Sequence, residues 1–335
     1  MLPKILLAYC HILSCLIYFS MGSRANTIEH RQSLKSKTPE MTELEDNVTK
    51  GIATGLLLAW NQCRHDFKWQ RWNCTELEFS RRYLNPVNRE MAYVSSITAA
   101  GIAHSMARSC ARGTLIPECR CVKKNKEASW EKEGCTLDLQ LGQMLARIFL
   151  GDMEGEAYDI TSRVNRHNYD LGIKAVEQQR GEDCKCHGIS GSCTTRTCWG
   201  KVAPFPKVGV LLKNAYRKAV RVAANRDKDM SKQSSGVMLF LEDSPDYCKP
   251  NATFGWAGTK GRVCSRRRSK HADRWERRSC NELCRSCGHQ VRLRVVETKT
   301  RCNCTFEWCC KVTCSICNKN ENQFYCDANP ILLRK

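Results

Sequence analysis

The sequence predicts an α+β fold, with a mainly helical N-terminal domain that carries a disulfide-locked hairpin and a small C-terminal domain of disulfide-rich β-hairpins. Two patterns predict it. Apolar residues recur at helical spacing between residues 44 and 222, whereas cysteines crowd into residues 248–326. That last segment is too poor in Leu and Ile to fold on a hydrophobic core alone, so disulfide crosslinks must take the place of the core.

The first element, residues 1–25, has the layout of a secretory signal peptide. Lys4 supplies a positive charge, Ile5 to Phe19 form an apolar run, and small or polar residues follow. The run is too short to span a bilayer comfortably, although an uncleaved membrane anchor is the alternative. We expect cleavage between Gly22 and Ala25 and export through the endoplasmic reticulum to the extracellular space and matrix.

The helices of the first domain are expected from apolar stripes, each of which is most simply a core face. In chain order the stripes are Leu44, Val48, Ile52, Leu56 and Trp60; Met91, Val94, Ile102, Met106 and Cys110; Leu137, Leu141, Leu145 and Ile148; a weaker pattern over 159–176; and Val208, Leu211, Ala215, Ala219 and Val222. Gly113 and Pro117 stand where a helix stop belongs.

The domain boundary is expected where cysteines are absent, between residues 199 and 247. This stretch includes a polar run, so we predict an N-terminal domain at 26–224, a linker at 225–245 and a C-terminal domain at 246–335.

Cysteine content agrees with export. Of the 24 cysteines, Cys10 and Cys15 lie in the signal peptide, which leaves 22, an even number. Zinc is the competing interpretation, because Cys284 with Cys287 and Cys314 with Cys317 are spaced C-x-x-C. Zinc requires thiolates, which the export route oxidises, so we expect disulfides and no metal.

The sharpest motif is Cys184-Lys-Cys-His-Gly-Ile-Ser-Gly-Ser-Cys193, followed by Cys198. Alternation along a strand puts Cys184 and Cys186 on one face, and a hairpin brings Cys193 and Cys198 opposite them. Bridges Cys184–Cys198 and Cys186–Cys193 would lock a narrow hairpin over 184–198, which we call the first finger. Its tip would present the hydroxyl group of Ser190.

Three roles compete for Ser190. As a nucleophile it fails the G-x-S-x-G pattern, because residue 192 is Ser, and an exposed tip offers no buried base or oxyanion hole beside His187. As a turn residue it would need no explanation. As a modification site it would offer the exposed hydroxyl that an acyltransferase needs. We therefore expect no catalytic residue.

The motif does not stand alone. Other motifs follow in order, namely Arg71-Trp-Asn-Cys74, Asp246-Tyr-Cys248, Arg274-Trp-Glu-Arg-Arg-Ser-Cys280 and Cys302-Asn-Cys304 through Trp308-Cys-Cys310. Together they resemble the Wnt family of secreted lipid-modified signalling proteins over residues 47–326. Cys284-Arg-Ser-Cys287 with Gly288, where most Wnts have adjacent cysteines, looks like the eighth Wnt subfamily.

The resemblance implies a ligand without cofactors that carries a covalent palmitoleate on Ser190. It implies addition of the acyl chain by Porcupine, transport by the carrier Wntless, and removal by the deacylase Notum. It also implies that two fingers grip the cysteine-rich domain of a Frizzled receptor, while an LDL-receptor-related coreceptor binds elsewhere. The receptor-binding residues carried over are His187, Gly188, Ile189, Ser190 and Gly191 in the first finger, and Phe306, Trp308, Cys309, Cys310 and Val312 in the second finger, residues 302–317.

The remaining disulfides follow from the same resemblance. They are Cys63–Cys74, Cys110–Cys119, Cys121–Cys135, Cys248–Cys287, Cys264–Cys280, Cys284–Cys326, Cys302–Cys317, Cys304–Cys314 and Cys309–Cys310. The neighbour bridge at 309–310 would hold Phe306, Trp308 and Val312 outward as an apolar knob.

Charge and sequons complete the expectations. The formal charge is +20, and a basic cluster occurs at Arg266, Arg267, Arg268 and Lys270. Outside the cell such a cluster favours heparan sulfate rather than nucleic acid, although a plain solvated loop is the alternative, and a structural matrix protein is a rival function. Sequons occur at Asn47, Asn73, Asn251 and Asn303.

Overall fold

A computed structural model of the chain describes residues 39–80, 86–115, 132–133, 139–154, 159–222, 236–253, 255–266, 274–308 and 310–328. The chain divides into two compact units, one made by residues 1–63 with 82–243 and the other by residues 64–81 with 244–335. The mixture of a helical N-terminal part and a disulfide-rich hairpin region confirms the predicted α+β class. The predicted signal peptide lies outside the described residues.

Helices predominate up to Arg217, and strands predominate after it. The helices are α1 (Pro39–Phe67), α2 (Glu76–Ser80), α3 (Arg89–Ala111), α4 (Leu139–Glu154), α5 (Ile160–Gln178), α6 (Phe205–Arg217) and α7 (Arg274–Ser279). The strands are β1 (Lys132–Glu133), β2 (Arg180–Cys186), β3 (Arg196–Val202), β4 (Val220–Arg221), β5 (Leu239–Phe240), β6 (Val263–Cys264), β7 (Gln290–Glu307) and β8 (Lys311–Asp327). Among the helices within the described residues, none combines the length and the apolar composition needed to cross a bilayer.

Helix α3 forms the centre of the first unit. Its predicted stripe is buried throughout, and so are all the residues from Glu90 to Ala107. Val48 and Ile52 of α1, Leu145 of α4 and Ile173 of α5 pack in the same core cluster. A helix buried on most of its circumference must be packed by neighbours on several sides, which explains why α3 carries small residues among its apolar ones.

Side chains cap two of these helices. Asn88 accepts a hydrogen bond from the backbone N–H of Met91 at 2.9 Å, and Asp159 accepts one from the N–H of Ser162 at 2.8 Å. Each bond satisfies one of the donors that the first turn of a helix leaves free. The bond from the Ser162 backbone holds the pKa of the Asp159 carboxyl below its ordinary value.

The last stripe of the first unit differs from the expectation at its end. Helix α6 ends at Arg217, and the last two residues of the stripe, Ala219 and Val222, flank the short strand β4, which pairs in parallel with β5. Val222 is nevertheless buried, against Val87 and Leu239. Burial therefore continues along the stripe while the backbone changes from helix to strand.

The predicted linker, 225–245, is also partly inside the first unit. Residues 225–235 lie outside the described residues, but residues 236–243 belong to the first unit. Strand β5 is fixed there by Asn168, whose side chain donates to the Leu239 carbonyl at 2.8 Å and accepts from the Leu239 N–H at 3.0 Å. These two bonds give the segment the same polar satisfaction that a neighbouring strand would give.

The second unit has a small core made largely of disulfides. Strands β6, β8 and β7 lie side by side in that order, and the buried cluster consists of Leu283 with the cysteines that bridge at 264–280 and 284–326. Beyond this base, β7 and β8 continue as an antiparallel ribbon that is mostly exposed. Crosslinks hold the unit where a larger domain would use apolar burial.

Residues 64–81 belong to this second unit, which the sequence did not predict. The guanidinium of Arg262 donates to the main-chain carbonyls of Gln70 at 2.7 Å and Lys68 at 2.9 Å. Burial lowers the pKa of Arg262 to about 10, so the group stays protonated at neutral pH. A half-buried charge that is satisfied by several carbonyl oxygens of one loop holds that loop in place.

Candidate functional site

The first finger is a short antiparallel hairpin of β2 and β3. Cys184 lies directly opposite Cys198 in the register, and the two form a disulfide with Cα atoms 4.1 Å apart. Closer to the tip, Cys186 bridges to Cys193 with Cα atoms 4.6 Å apart. Strand β1 adds to the other edge of β3 in parallel. The two nested bridges make a rigid stalk out of a hairpin that would be only marginally stable alone.

Backbone hydrogen bonds close the tip of this finger. The N–H of Gly188 donates to the Ser192 carbonyl at 2.8 Å, and the N–H of Gly191 donates back to the Gly188 carbonyl at 3.0 Å. A side chain at Gly188 would collide with Ser192 and Thr194. Gly191 has φ +80°, a conformation that glycine adopts without steric cost.

Ser190 itself has a left-handed backbone, with φ 59° and ψ 24°. This conformation is uncommon for a residue other than glycine, and it persists only where the surroundings impose it. Ser190 is exposed, and its neighbour Ile189 is 92% exposed. The tip therefore presents a primary alcohol and an aliphatic side chain to the solvent.

His187 does not make the site hydrolytic. Its ring Nε2 lies 3.0 Å from the hydroxyl oxygen of Thr197, across the hairpin, and the residue is exposed. The hydroxyl of Ser190 stands on the exposed tip, where water can solvate it. A Ser–His nucleophile needs a base oriented in a water-excluded pocket with oxyanion donors, and this tip has no such enclosure among the described residues.

The second finger is the end of the β7–β8 ribbon. The disulfides Cys302–Cys317 and Cys304–Cys314 join its strands, with Cα atoms 5.9 and 4.1 Å apart. The register shifts between Cys302 and Thr305, where Asn303 adopts φ 48°. This bulge redirects the strand just before the tip.

The tip of the second finger carries three large exposed apolar side chains. Phe306 is 69% exposed and Val312 is 60% exposed, and they lie directly opposite each other in the register. Trp308, in the turn, is 95% exposed. Exposed aromatic residues clustered at one tip are unusual on a soluble protein and indicate a contact surface. Cys309 lies outside the described residues, but Cys310 is an exposed free cysteine, which does not support the neighbour bridge predicted at 309–310.

The other described disulfides have the pairings that the resemblance implied. Cys248 bridges to Cys287, Cys264 to Cys280 and Cys284 to Cys326. Cys63 and Cys74 are each disulfide-bonded. Cys119, Cys121 and Cys135 lie outside the described residues, and so the bridges predicted for them and for Cys110 remain predictions.

In the described part of the chain, one group of potential metal ligands has its ligand atoms close together, namely Glu182 with Cys184 and Cys198. The two sulfur atoms are joined in a disulfide, so neither can act as a thiolate ligand.

The predicted sequons lie in varied settings. Asn47 is within α1, Asn251 forms a bridge with Trp256, and Asn303 is on the exposed bulge.

The basic cluster is described only at Arg266. Its guanidinium lies 4.7 Å from the centroid of the Phe324 ring, and the residue is exposed. Arg267, Arg268 and Lys270 lie outside the described residues. The heparan sulfate assignment therefore stays a prediction.

Two functional or structural groups were missed by sequence reasoning. One is Arg262, which gave no signal in so basic a chain. The other is His104 of α3, whose Nε2 donates to the Ala203 carbonyl at 2.9 Å directly after β3. Burial lowers the pKa of His104 below its ordinary value of 6.5, and Arg108 lowers it further, against the opposing effect of the Ala203 bond. The single histidine of α3, among apolar and small residues, was the available signal.

Comparison with known proteins gives consistent results. The family model described as the wnt family matches residues 30–327. Protein Wnt-8b of Danio rerio is 36% identical over 297 residues, which cover 83% of this chain and 82% of that protein. Protein Wnt-8a of Homo sapiens is 34% identical over 304 residues, which cover 84% of this chain and 86% of that protein.

A solved structure is also similar. A chain in the complex of human WLS with WNT8A matches with a TM-score of 0.64 at 31% identity, over 88% of this chain and 97% of that chain. The similarity therefore extends over both units rather than over one motif.

Proposed function

The chain belongs to the Wnt family, whose members are secreted signalling ligands and not enzymes, and on that premise we propose that it activates Frizzled receptors during development through a fatty acyl group on Ser190. The Wnt-8 relatives agree with the eighth-subfamily resemblance of Cys284 to Gly288. The partners are the cysteine-rich domain of Frizzled and an LDL-receptor-related coreceptor.

The observation that carries this proposal is the geometry at Ser190. The hydroxyl stands on a rigid, crosslinked tip, and Ser190 and Ile189 are exposed. An acyltransferase such as Porcupine needs an exposed alcohol, and a receptor groove needs an acyl chain that projects free of its own protein. The Ser190 side chain supports no core, so its modification costs the fold nothing.

The acyl chain supplies the binding energy. A palmitoleate offers about 14 buriable carbon groups, each worth roughly 0.8 kcal/mol, or about 10 kcal/mol before entropic costs are subtracted. This gross energy is enough to dominate binding to an apolar groove. It also makes the free ligand poorly soluble in water.

Low solubility implies a carrier. The similar WNT8A has been solved in complex with human WLS, and we assign the same kind of carrier, Wntless, to this chain. Removal of the acyl group by a deacylase such as Notum would end signalling. The basic cluster would retain the ligand on heparan sulfate, where attraction depends on counterion release.

The second finger supplies a separate contact. Phe306, Trp308 and Val312 expose an apolar surface at one tip, and aromatic anchors of this kind dominate interfaces when a partner buries them. Two contacts on crosslinked stalks lose little conformational entropy on binding, because both are ordered beforehand.

The proposal is tested with Ser190→Ala and a matched control, Ser192→Ala, on the same tip. Both proteins are purified from secreting cells that are supplied with Wntless, and binding to an isolated Frizzled cysteine-rich domain is measured. Ser190→Ala should lose at least about 1,000-fold in affinity, since a loss of roughly 4 kcal/mol is a conservative share of the acyl contribution. Ser192→Ala should bind normally.

Equal binding by the wild type and Ser190→Ala would contradict the proposal. A loss by both serine variants would instead indicate that the shape of the tip, rather than an acyl group, is recognised. Retention of disulfides and normal secretion in both variants establish that the fold is intact.

A further inference from the structure

A cavity of about 880 Å³ lies wholly within the second unit. Its wall is built by the end of α1, the turn around Asn73, strand β6 with the residues that follow it, helix α7 and strand β8. The volume falls within the range of about 300–1,000 Å³ that is typical of sites for small ligands. Neither finger contributes to this cavity.

The wall combines flat aromatic rings with polar side chains. Trp69 and Phe324 provide the rings, with the Lys68 amine 4.7 Å from the Trp69 ring centroid. Asn322 and Gln323 add amide groups that can both donate and accept. A pyranose ring has an apolar C–H face that packs on aromatic rings and hydroxyl groups that bind planar polar side chains, so the chemistry of this wall suits a carbohydrate.

The wall carries both signs of charge, with basic side chains in excess. Arg262 is committed to main-chain carbonyls, and Arg266 stacks on Phe324. Glu276 accepts a hydrogen bond from the Ser265 hydroxyl at 3.1 Å, and Glu321 adds a second carboxylate to the lining. With Arg64 and Lys68 also in the lining, four basic side chains face two carboxylates, and a sugar that is covalently attached needs no charge complementarity to be held there.

One residue of the wall belongs to an N-glycosylation sequon. Asn73 begins the sequon Asn73-Cys74-Thr75 and lines the cavity with a half-buried side chain. Cys74 is disulfide-bonded and has φ 55°, so the backbone beside Asn73 is fixed. A glycan attached to the Asn73 amide therefore starts at the lining of the cavity.

We propose that the cavity is the seat of the N-linked glycan of Asn73, whose innermost N-acetylglucosamine units pack on Trp69 and bind the amides of Asn322 and Gln323. In the attachment step, Asn73 Nδ2 bonds to C1 of the first sugar. The bond from C1 to the oxygen of a lipid pyrophosphate donor breaks, and the amide gives up one proton. The sugars in the cavity then link the segment 64–81 to β8 through the glycan rather than through an additional contact between protein atoms.

The sequon at Asn303 provides an internal reference. Asn303 is exposed on the bulge of the ribbon, away from the base of the unit. A glycan there is attached to an open surface. A peptide N-glycosidase must reach the bond between Asn and the first sugar, so it should release the Asn303 glycan freely and the Asn73 glycan only after local opening of the cavity.

The experiment measures site-by-site release from native secreted protein by mass spectrometry. Release at Asn73 should be at least about tenfold slower than at Asn303, and the two rates should converge after reduction and denaturation. Trp69→Ala should bring the native rate at Asn73 to within about threefold of the rate at Asn303. A matched control on the exposed surface of α1, Leu57→Ala, should change neither rate.

Stability gives a second readout that does not depend on the Trp69 variant. Asn73→Gln should lower the thermal midpoint of the secreted protein, whereas Thr75→Ser, which keeps the sequon, and Asn303→Gln should not. An unmodified Asn73 in secreted protein would overturn the proposal, and so would equal native release at the two sites. Both measurements are independent of receptor binding.

Discussion

Trp308 offers the sharpest quantitative test of the second finger. The side chain is 95% exposed in the free protein, so an interface can bury nearly all of it. An aromatic side chain buries about 150–250 Å², which at about 25 cal/mol per Å² is worth roughly 4–6 kcal/mol gross. After ordering and desolvation, about 2 kcal/mol remains as a typical hot-spot value.

Trp308→Ala should therefore weaken binding to the Frizzled cysteine-rich domain by about 30-fold, which corresponds to 2 kcal/mol. Titration calorimetry or surface plasmon resonance with acylated secreted protein measures the change. Val295→Ala is the matched control, because Val295 is 64% exposed on the same ribbon but roughly 35 Å from the tip at about 3.3 Å per residue. Retention of Trp308→Ala inside the cell, or a change of less than about threefold in affinity, would refute the assigned role.

Three further predictions concern the fold and the basic surface. Arg262→Met should leave loop carbonyls without a donor and cost about 2–4 kcal/mol, seen as a lower thermal midpoint; Arg285→Met is the exposed control, and equal losses would contradict the role of Arg262. Burial depresses the pKa of His104, so the free energy of unfolding should be highest above pH 6.5 and fall below it as the imidazole becomes charged. Denaturant titrations from pH 7.5 to 5.5 measure this dependence, which His104→Gln should flatten. Changing the basic cluster to Ser should lower the salt concentration that elutes the protein from heparin without altering Frizzled binding, and an unchanged elution would place heparin on another face.

The features that depend on residues close together in sequence were mostly predicted. The stripe from Met91 to Cys110 identified α3 because a helix repeats its burial every 3.6 residues. The first finger followed from the spacing of its cysteines, since strand alternation fixes which side chains share a face. Both inferences need only residues that are near one another in sequence.

Features that depend on distant residues were not predictable in the same way. The bonds from Arg262 join segments that no periodicity relates, and the Asn168 bonds to Leu239 place a segment in the first unit that looks like a linker. The stripe at the end of α6 continued through Val222 because burial continued, although the backbone had become a strand. A hydrophobic pattern reports burial, and it reports backbone type only while the period is sustained.

The tip of the first finger could be predicted only in part. The glycines indicated a tight turn, but the left-handed conformation of Ser190 itself depends on the bonds that Gly188, Gly191 and Ser192 make around it. The role proposed for the hydroxyl depends on a partner enzyme, so the fold alone could not indicate it.

Mass spectrometry of the peptide that spans His187 to Cys193, from protein secreted by cells with an intact acylation pathway, tests the function most directly. A stable mono-unsaturated 16-carbon acyl ester on Ser190, with Ser192 unmodified, is the expected result. A free hydroxyl on Ser190 in protein that still activates Frizzled would contradict the proposed function.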